Sequence, residues 1–256
     1  MKNNITIILI LSLVLFIFIM LPKPFHELEA AYCNSDFSFK NFRPFGCSPL
    51  GEDLLSLTFF GAFQTLLTAS GGRFLASFLA LIGFALAHLG GKAAFGFISR
   101  LSEAFMTIPA LMLALSFGFF MGAGYVSMIL AIGISEWSFS QKWLLGRMKE
   151  YNRFNFIEAS IAAGGTKSHL LKVHFAPFLI KDIVFLFFIY FPTSLLSTAA
   201  LEFLGLSTGD KIPGLGYQAA AYKDLIMLYP NVTLPSMAAL ILIVSLSIVL
   251  KKKFET

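Results

Sequence analysis

The chain has 256 residues, of which 57% are apolar and 13% are charged, and its mean hydropathy is +0.79. A soluble globular domain has about a quarter of its residues charged. This composition therefore excludes an ordinary water-soluble protein and favours a surface in contact with lipid. The net charge of +5 does not indicate nucleic-acid binding, because in a membrane protein its meaning depends on the side where the charges lie.

Six apolar stretches predict an all-α integral membrane protein, a bundle of about six transmembrane helices. No small-x-small cleavage site follows the first stretch directly, so we interpret it as an uncleaved helix rather than a signal peptide. The predicted spans are Ile5–Leu21, Phe74–Leu89 (with a possible start near Thr65), Ala104–Tyr125, Val126–Leu145, Phe175–Leu206 and Val232–Leu250.

The basic residues predict the orientation of the bundle. With six crossings and a cytoplasmic amino terminus, 13 of the 19 Lys and Arg residues fall on the cytoplasmic side and 5 on the outside. This bias follows the positive-inside rule. We therefore expect both termini in the cytoplasm, and we place Arg73 at the start of the second predicted span.

Two segments between the spans are long enough to carry function, one external (22–64) and one cytoplasmic (146–174). We divide the chain into residues 1–64, which hold the first span and the external loop, and residues 65–256, which hold a five-helix core. The external loop contains Cys33 and Cys47, the two cysteines of the chain. Disulfides persist in that compartment, so we predict a bridge between them, with two free thiols as the alternative.

The cytoplasmic segment 154–177 predicts a small helix-turn-helix between the fourth and fifth spans. Asn155 followed three residues later by Glu158 is typical of a capped helix start. Gly164 ends this helix, and Thr166 or Ser168 caps a second short helix. The apolar face of the first helix consists of Phe154, Ile157 and Ile161. Such a projection is suited to docking in a groove of a soluble partner.

This segment resembles the loop E-A-A-x3-G-x9-I-x-L-P of the permeases of ATP-binding-cassette importers. The matching positions are Glu158, Ala159, Ser160, Gly164, His174 and Pro177. Ser160 stands for the second Ala of the pattern and Ala176 for its Leu. His174 stands for the Ile, as it often does in the oligopeptide, dipeptide and nickel permeases.

Further motifs extend the resemblance, which is closest to the C-type permease of such pairs, from Pro49 to the carboxy terminus. Residues before Pro49 match no pattern of that family. The further motifs are PLGEDLLS (49–56), IPALMLAL (108–115), Trp137 with Lys142 and Gly146, AALEFLGL (199–206), and Pro213 with Gly216.

The resemblance implies a permease subunit of the bacterial inner membrane that moves peptides or nickel chelates from the periplasm to the cytoplasm. It implies no enzyme activity, cofactor or metal site in this chain. The implied partners are a second permease, two ATPase subunits that supply the energy, and a periplasmic solute-binding protein. The 154–177 loop would dock in the ATPase.

Two intramembrane acids have alternative interpretations. The family usually has an acid at the position of Thr198, and here Glu202 lies one helical turn further on, so we predict that Glu202 replaces it near the outer mouth of the pathway. An exposed acid at a helix end is the alternative. We expect Glu136 to be hydrated near the cytoplasmic interface. His88 and His169 stand alone and are expected at interfaces rather than as ligands.

Two other function classes compete with the permease. A stand-alone secondary transporter predicts inverted repeats and broken-helix pairs, and neither is visible in the sequence. A membrane-embedded enzyme predicts a catalytic pair on neighbouring helices, and none is evident. A phosphate-binding loop is excluded at Gly91-Lys92, because Leu86 occupies the position of its first glycine.

Overall fold

A computed structural model describes residues 45–48, 51–207, 213–227 and 229–255. The first predicted span, Ile5–Leu21, and Cys33 lie outside these residues. The described part is helical and contains no β-strand, which confirms the all-α prediction. Its helices are α1 (Leu54–Thr107), α2 (Ala110–Met121), α3 (Tyr125–Tyr151), α4 (Asn155–Ala162), α5 (Lys167–Phe203), α6 (Leu215–Tyr222) and α7 (Pro230–Glu255).

Three of the described helices, α1, α5 and α7, are long and apolar enough to cross a membrane. Helix α2 has 12 residues, fewer than the roughly 20 that a crossing requires. Helix α3 has 27 residues, but its second half carries Gln141, Lys142 and Arg147. An all-α membrane protein is therefore confirmed, whereas the count of six crossings and the cytoplasmic position of both termini stay predictions.

Helix α1 begins much earlier than the sequence predicted. Its N-cap is Asp53, whose carboxylate accepts the N–H of Ser56 at 2.8 Å. The predicted starts at Phe74 and Thr65 are wrong, because the Ser, Thr and Gln side chains of the first turns lower the hydropathy without preventing a helix. The helix also runs continuously through the predicted division between residues 1–64 and 65–256.

Two interruptions shape the first half of the bundle. Gly91 lies inside α1 with φ +70° and ψ −154°, which a right-handed helix does not tolerate, and the helix changes direction there. The third predicted span, Ala104–Tyr125, is wrong as one helix: α1 ends at Thr107, and Pro109 is the N-cap of α2. Pro109 therefore begins a helix, as expected from its fixed φ.

Helix α5 begins within the segment 146–174, which the sequence predicts to be cytoplasmic. The second short helix that the sequence predicted does not stand apart: residues Lys167–His169 continue through a π-helical turn, Leu170–Phe175, into the long apolar part of α5. In this turn the N–H of Ala176 donates to the carbonyl of Leu171. Pro177 follows it and has no N–H to donate, which favours irregular bonding in the preceding turn.

Small residues bring α1 and α3 close together. A Cβ on Gly72 would lie 2.7 Å from Ile132, and a Cβ on Gly133 would lie 2.5 Å from Leu75. Such contacts are typical of helix pairs in membranes, where close backbone approach replaces the hydrophobic effect. The largest buried cluster lies around the base of α4 and the start of α5, and its larger members include Phe84, Leu144, Tyr151, Ile157, Phe175 and Leu186.

Candidate functional site

The coupling loop, residues 154–177, projects from one end of the bundle. It consists of α4, a turn, and the first residues of α5. Ile157 is 1% exposed and anchors the loop to the core, whereas Phe154 is 37% and Ile161 55% exposed. Glu158 is exposed, and its carboxylate forms no hydrogen bond or ion pair with another described residue. The loop thus presents an acid and apolar side chains that the described part of the subunit does not cover.

The predicted capping of α4 is wrong. The N-cap is Phe154, and no side chain caps the helix there. Asn155 is already the first helical residue, so it does not pair with Glu158 in a capping box. Because Glu158 lies in the first turn of α4, its negative charge still interacts favourably with the helix dipole. Glu158 therefore has no capping role that would explain its presence at this position.

The turn after α4 agrees with the prediction. Gly164 has φ +84°, a conformation that favours glycine, and its N–H donates to the carbonyl of Ile161 at 2.9 Å. The N–H of Gly165 donates to the carbonyl of Ser160 at 2.8 Å. Thr166 then caps α5 by accepting the N–H of His169 at 3.2 Å, which confirms one of the two predicted caps.

The remaining motif residues lie at the base of the loop. The His174 ring is half-buried between the rings of Phe156, 5.6 Å away, and His169, 5.7 Å away. Pro177 lies in the first turn of the long apolar part of α5. The structure therefore places Glu158, Ala159, Ser160 and Gly164 on the projecting part, and His174 and Pro177 where the loop joins the bundle.

A second cluster, at the opposite end of α5, holds α6 against the bundle. We call it the α6 clamp: Thr65, Glu202, Gly216 and Gln218. The Glu202 carboxylate accepts the hydroxyl of Thr65 at 2.9 Å and the N–H of Gly216 at 3.0 Å. The same hydroxyl accepts the N–H of Leu215 at 2.9 Å. Glu202 is fully buried, so the alternative of an exposed acid at a helix end is wrong.

Gln218 ties α6 to two further elements. Its amide donates to the carbonyls of Leu57 and Pro213, both at 2.8 Å, and accepts the hydroxyl of Ser236 on α7 at 2.8 Å. A Cβ on Gly61 would lie 2.0 Å from the Gln218 amide nitrogen, so the close approach requires glycine on α1. The α6 clamp therefore joins α1, α5, α6 and α7.

The end of α6 carries one perturbed phenol. Burial raises the pKa of Tyr222 to about 12, and the neighbouring Glu52 charge acts in the same direction. The Tyr222 hydroxyl donates to the Glu52 carboxylate at 3.2 Å. This contact connects α6 to the segment before α1.

Thr198 is also buried but has a different partner from Glu202. Its hydroxyl donates to the carbonyl of Ser194, one turn earlier in its own helix, at 2.8 Å. Thr198 and Glu202, the two positions that the resemblance related to each other, therefore lie on one helix, and the Glu202 carboxylate is the one hydrogen-bonded to α6.

A third cluster, the central polar network, was missed by the sequence analysis. Arg73 on α1 is fully buried, and its guanidinium lies 3.7 Å from the carboxylate of Glu136 on α3 and 5.2 Å from the centroid of the Tyr190 ring on α5. Glu136 accepts the hydroxyl of Ser197 at 3.0 Å and also that of Ser194. The expectation that Glu136 is hydrated at an interface is wrong, since it is 2% exposed.

The predicted helix start at Phe74 concealed this network, because it placed Arg73 at the start of the second span rather than well inside the helix. The actual start places Arg73 about 30 Å along α1, at 1.5 Å per residue. An arginine surrounded by apolar residues in a transmembrane helix requires a buried partner. That rule, applied to Arg73 and Glu136 together, could have predicted from the sequence that the two charges pair.

The predicted disulfide concerns only one described residue. Cys47 is fully buried, and its backbone pairs with that of Asp53, the N-cap of α1, in an isolated antiparallel β-bridge. Cys33 lies outside the described residues. The bridge between the two cysteines stays a prediction.

Comparison with known proteins places these clusters in a transport family. The model of the family described as the binding-protein-dependent transport system inner membrane component matches residues 79–251. The matched range contains the coupling loop, Glu136 and Glu202.

Three named relatives are similar to most of the chain. One is named as a peptide permease of Brucella ovis (26% identical over 208 residues, 81% of this chain and 68% of the relative). Another is the di/tripeptide transport system permease protein DppC of Pseudomonas aeruginosa (27% over 205 residues, 79% and 67%). A third is the glutathione transport system permease protein GsiD of Salmonella typhimurium (26% over 200 residues, 78% and 66%).

Proposed function

The chain belongs to the family of binding-protein-dependent transport system inner membrane components, and we propose that it forms half of the pathway of an ATP-driven peptide importer. Family membership makes it a multi-pass inner-membrane permease subunit rather than an enzyme, and it implies solute-binding and ATPase partners. The proposed assembly adds a second permease and two ATPase subunits. The solute is captured by a periplasmic binding protein.

The coupling loop carries the proposal. It projects from the end of the bundle, and the carboxylate of its Glu158 has no partner among the described residues. Phe154 and Ile161 add exposed apolar area beside that acid. A short helix with an acid and apolar residues on its free side is suited to insert into a groove of a soluble subunit. We assign that groove to the ATPase.

The α6 clamp is proposed as the outer mouth of the pathway. Glu202 and Gln218 hold α6 to α1, α5 and α7 at the end of α5 away from the coupling loop. An element fixed by a few buried hydrogen bonds can have two discrete positions, which alternating access requires. Thr198 lies one turn away on the same helix, and its hydroxyl bonds within α5.

Peptides are the proposed solutes. The three relatives described above are named for peptides, di- and tripeptides, and glutathione, which is itself a peptide. Chelated nickel, the other solute that the resemblance implied, receives no support from those three names.

Copurification tests the proposal. A tagged chain is extracted in mild detergent from its own host, and copurified ATP-binding-cassette ATPase is identified and its hydrolysis measured. We expect wild type to retain the ATPase and Glu158→Lys to lose it by about tenfold or more, since an opposed charge at a docked acid costs over 1.4 kcal/mol.

The matched control is Asp224→Lys, the same charge change at an exposed acid beyond α6. It should retain the ATPase. Two results would contradict the proposal: no such ATPase with the wild-type chain, or equal recovery with Glu158→Lys and wild type.

A further inference from the structure

The break in α1 at Gly91 lies directly against the coupling loop. With φ +70° Gly91 cannot continue the helix, so carbonyls in the turn before it lose regular helical partners. A Cβ on Gly91 would lie 3.1 Å from the ammonium of Lys167. Lys167 is the first helical residue of α5 and belongs to the coupling loop.

Two hydrogen bonds join the loop to this break. The Lys167 ammonium donates to the carbonyl of Leu89 at 3.1 Å. The His88 ring lies with Nε2 3.0 Å from the carbonyl of Lys167. A carbonyl only accepts, so Nε2 is the protonated nitrogen of the ring. Each segment thus supplies one donor and one acceptor, and the cation lies at the carbonyl end of a helix, where the dipole favours it.

Apolar contacts between the loop and α1 surround these two hydrogen bonds. The His88 ring also packs edge-on against Phe175, with centroids 4.9 Å apart. Beside the bonds lies a cavity of about 370 Å³, lined among others by Phe95, Met148 and Ile161. Protein interiors contain few voids larger than a water molecule, so side chains do not fully pack the space beside these bonds. The start of α5 is fixed locally, since Thr166 caps it.

We propose that His88 and Lys167 form a latch that passes displacement of the coupling loop to α1. This proposal rests on the proposed function. His88 and Lys167 are positioning residues, because they act through α1 rather than on the solute. About 35 Å further along the same helix lies Thr65 of the α6 clamp. The latch therefore connects the ATPase side of the subunit to its proposed outer mouth.

The test uses the assembled importer in proteoliposomes, with ATP hydrolysis and peptide uptake measured on the same preparation. His88→Phe retains a ring against Phe175 but removes the donor. We expect basal hydrolysis to stay near the wild-type rate and uptake per ATP to fall by about tenfold, the effect that one lost hydrogen bond allows. His88→Gln, which retains a donor, should restore part of that ratio.

A second variant makes the test independent of His88. Lys167→Met should lower uptake per ATP similarly, and the double variant should lose little more, because both act on one contact. Lys92→Met removes an exposed lysine next to the same break and should behave as wild type. A wild-type ratio in His88→Phe, or losses that multiply in the double variant, would overturn the latch. Failure of the wild-type chain to retain an ATPase contradicts the proposed function instead.

Discussion

The carboxylate of Glu202 accepts the backbone N–H of Gly216 at 3.0 Å, which fixes the start of α6 to the end of α5. The close approach requires glycine at position 216, because a Cβ there would lie 2.1 Å from the carbonyl oxygen of Ala199. The same carboxylate accepts the hydroxyl of Thr65 on α1. One buried acid therefore determines how three helices meet.

Two substitutions of Glu202 distinguish the loss of its hydrogen bonds from the loss of its charge. Glu202→Ala leaves the Gly216 N–H and the Thr65 hydroxyl without their acceptor, so we expect a loss of about 1–3 kcal/mol in stability and a marked fall in uptake. Glu202→Gln retains an acceptor and should lose less. Thermal unfolding in detergent and uptake in cells measure the two effects.

The control for Glu202 is Thr198→Val, one turn away on the same helix, which removes only a hydroxyl bonded within its own helix. It should change stability and uptake little. Equal losses in Glu202→Ala and Thr198→Val would show that the α6 contacts are unimportant.

Gly216→Ala tests the close approach of α6 to α5. The new methyl would meet the Ala199 carbonyl, a backbone atom that cannot rotate away, so we expect about 1–3 kcal/mol of destabilisation from overpacking. Gly96→Ala is the matched control, because a Cβ on Gly96 in α1 would have no atom of another described residue within 4 Å. That variant should be neutral or stabilised by up to about 1 kcal/mol. The prediction fails if the two variants unfold at the same temperature.

The sequence predicted the coupling loop well because its signals are local. Gly164 ends α4, as predicted, and Thr166 caps α5. The start of α4 was predicted one residue late, because a preferred N-cap residue type indicates a helix start only to within one or two residues. Local sequence patterns therefore predict which segments are helical more accurately than they predict the residue at which a helix begins.

The hydrogen-bond partners of the buried acids could not be identified from the sequence because they are distant along the chain. Glu136 meets Ser194 and Ser197 from another helix, and Glu202 meets Thr65 across 137 residues. Nothing in the residues flanking Glu136 distinguishes burial among hydroxyls from hydration. Which helices pack together, and in which register, decides that outcome.

The central polar network should show strong coupling between its charges. Arg73→Met and Glu136→Leu each leave one buried charge without its partner, and each should destabilise the chain by about 3–5 kcal/mol. The double variant removes both charges and should lose less than the sum. Unfolding of the four proteins in detergent gives the coupling energy. A coupling energy near zero would mean that the two charges are independent.

The predicted Cys33–Cys47 bridge has a direct test. Closing the short loop between Cys33 and Cys47 contributes about 3 kcal/mol to stability in the chain-entropy model. Cys47 itself is paired with Asp53 at the start of α1. Purified protein is alkylated without reduction and then digested. We expect a peptide pair linked through the two cysteines, which separates after reduction. Complete alkylation of both thiols would refute the bridge.

The importer assignment is tested most directly by reconstituted uptake. The chain and its copurified partners are placed in proteoliposomes with ATP on the ATPase side, and a labelled tripeptide is added on the other side with the solute-binding protein. We predict accumulation that requires both ATP and the binding protein and that stops with a non-hydrolysable ATP analogue. Accumulation without ATP, driven by a proton or sodium gradient, would contradict the account and favour a secondary transporter.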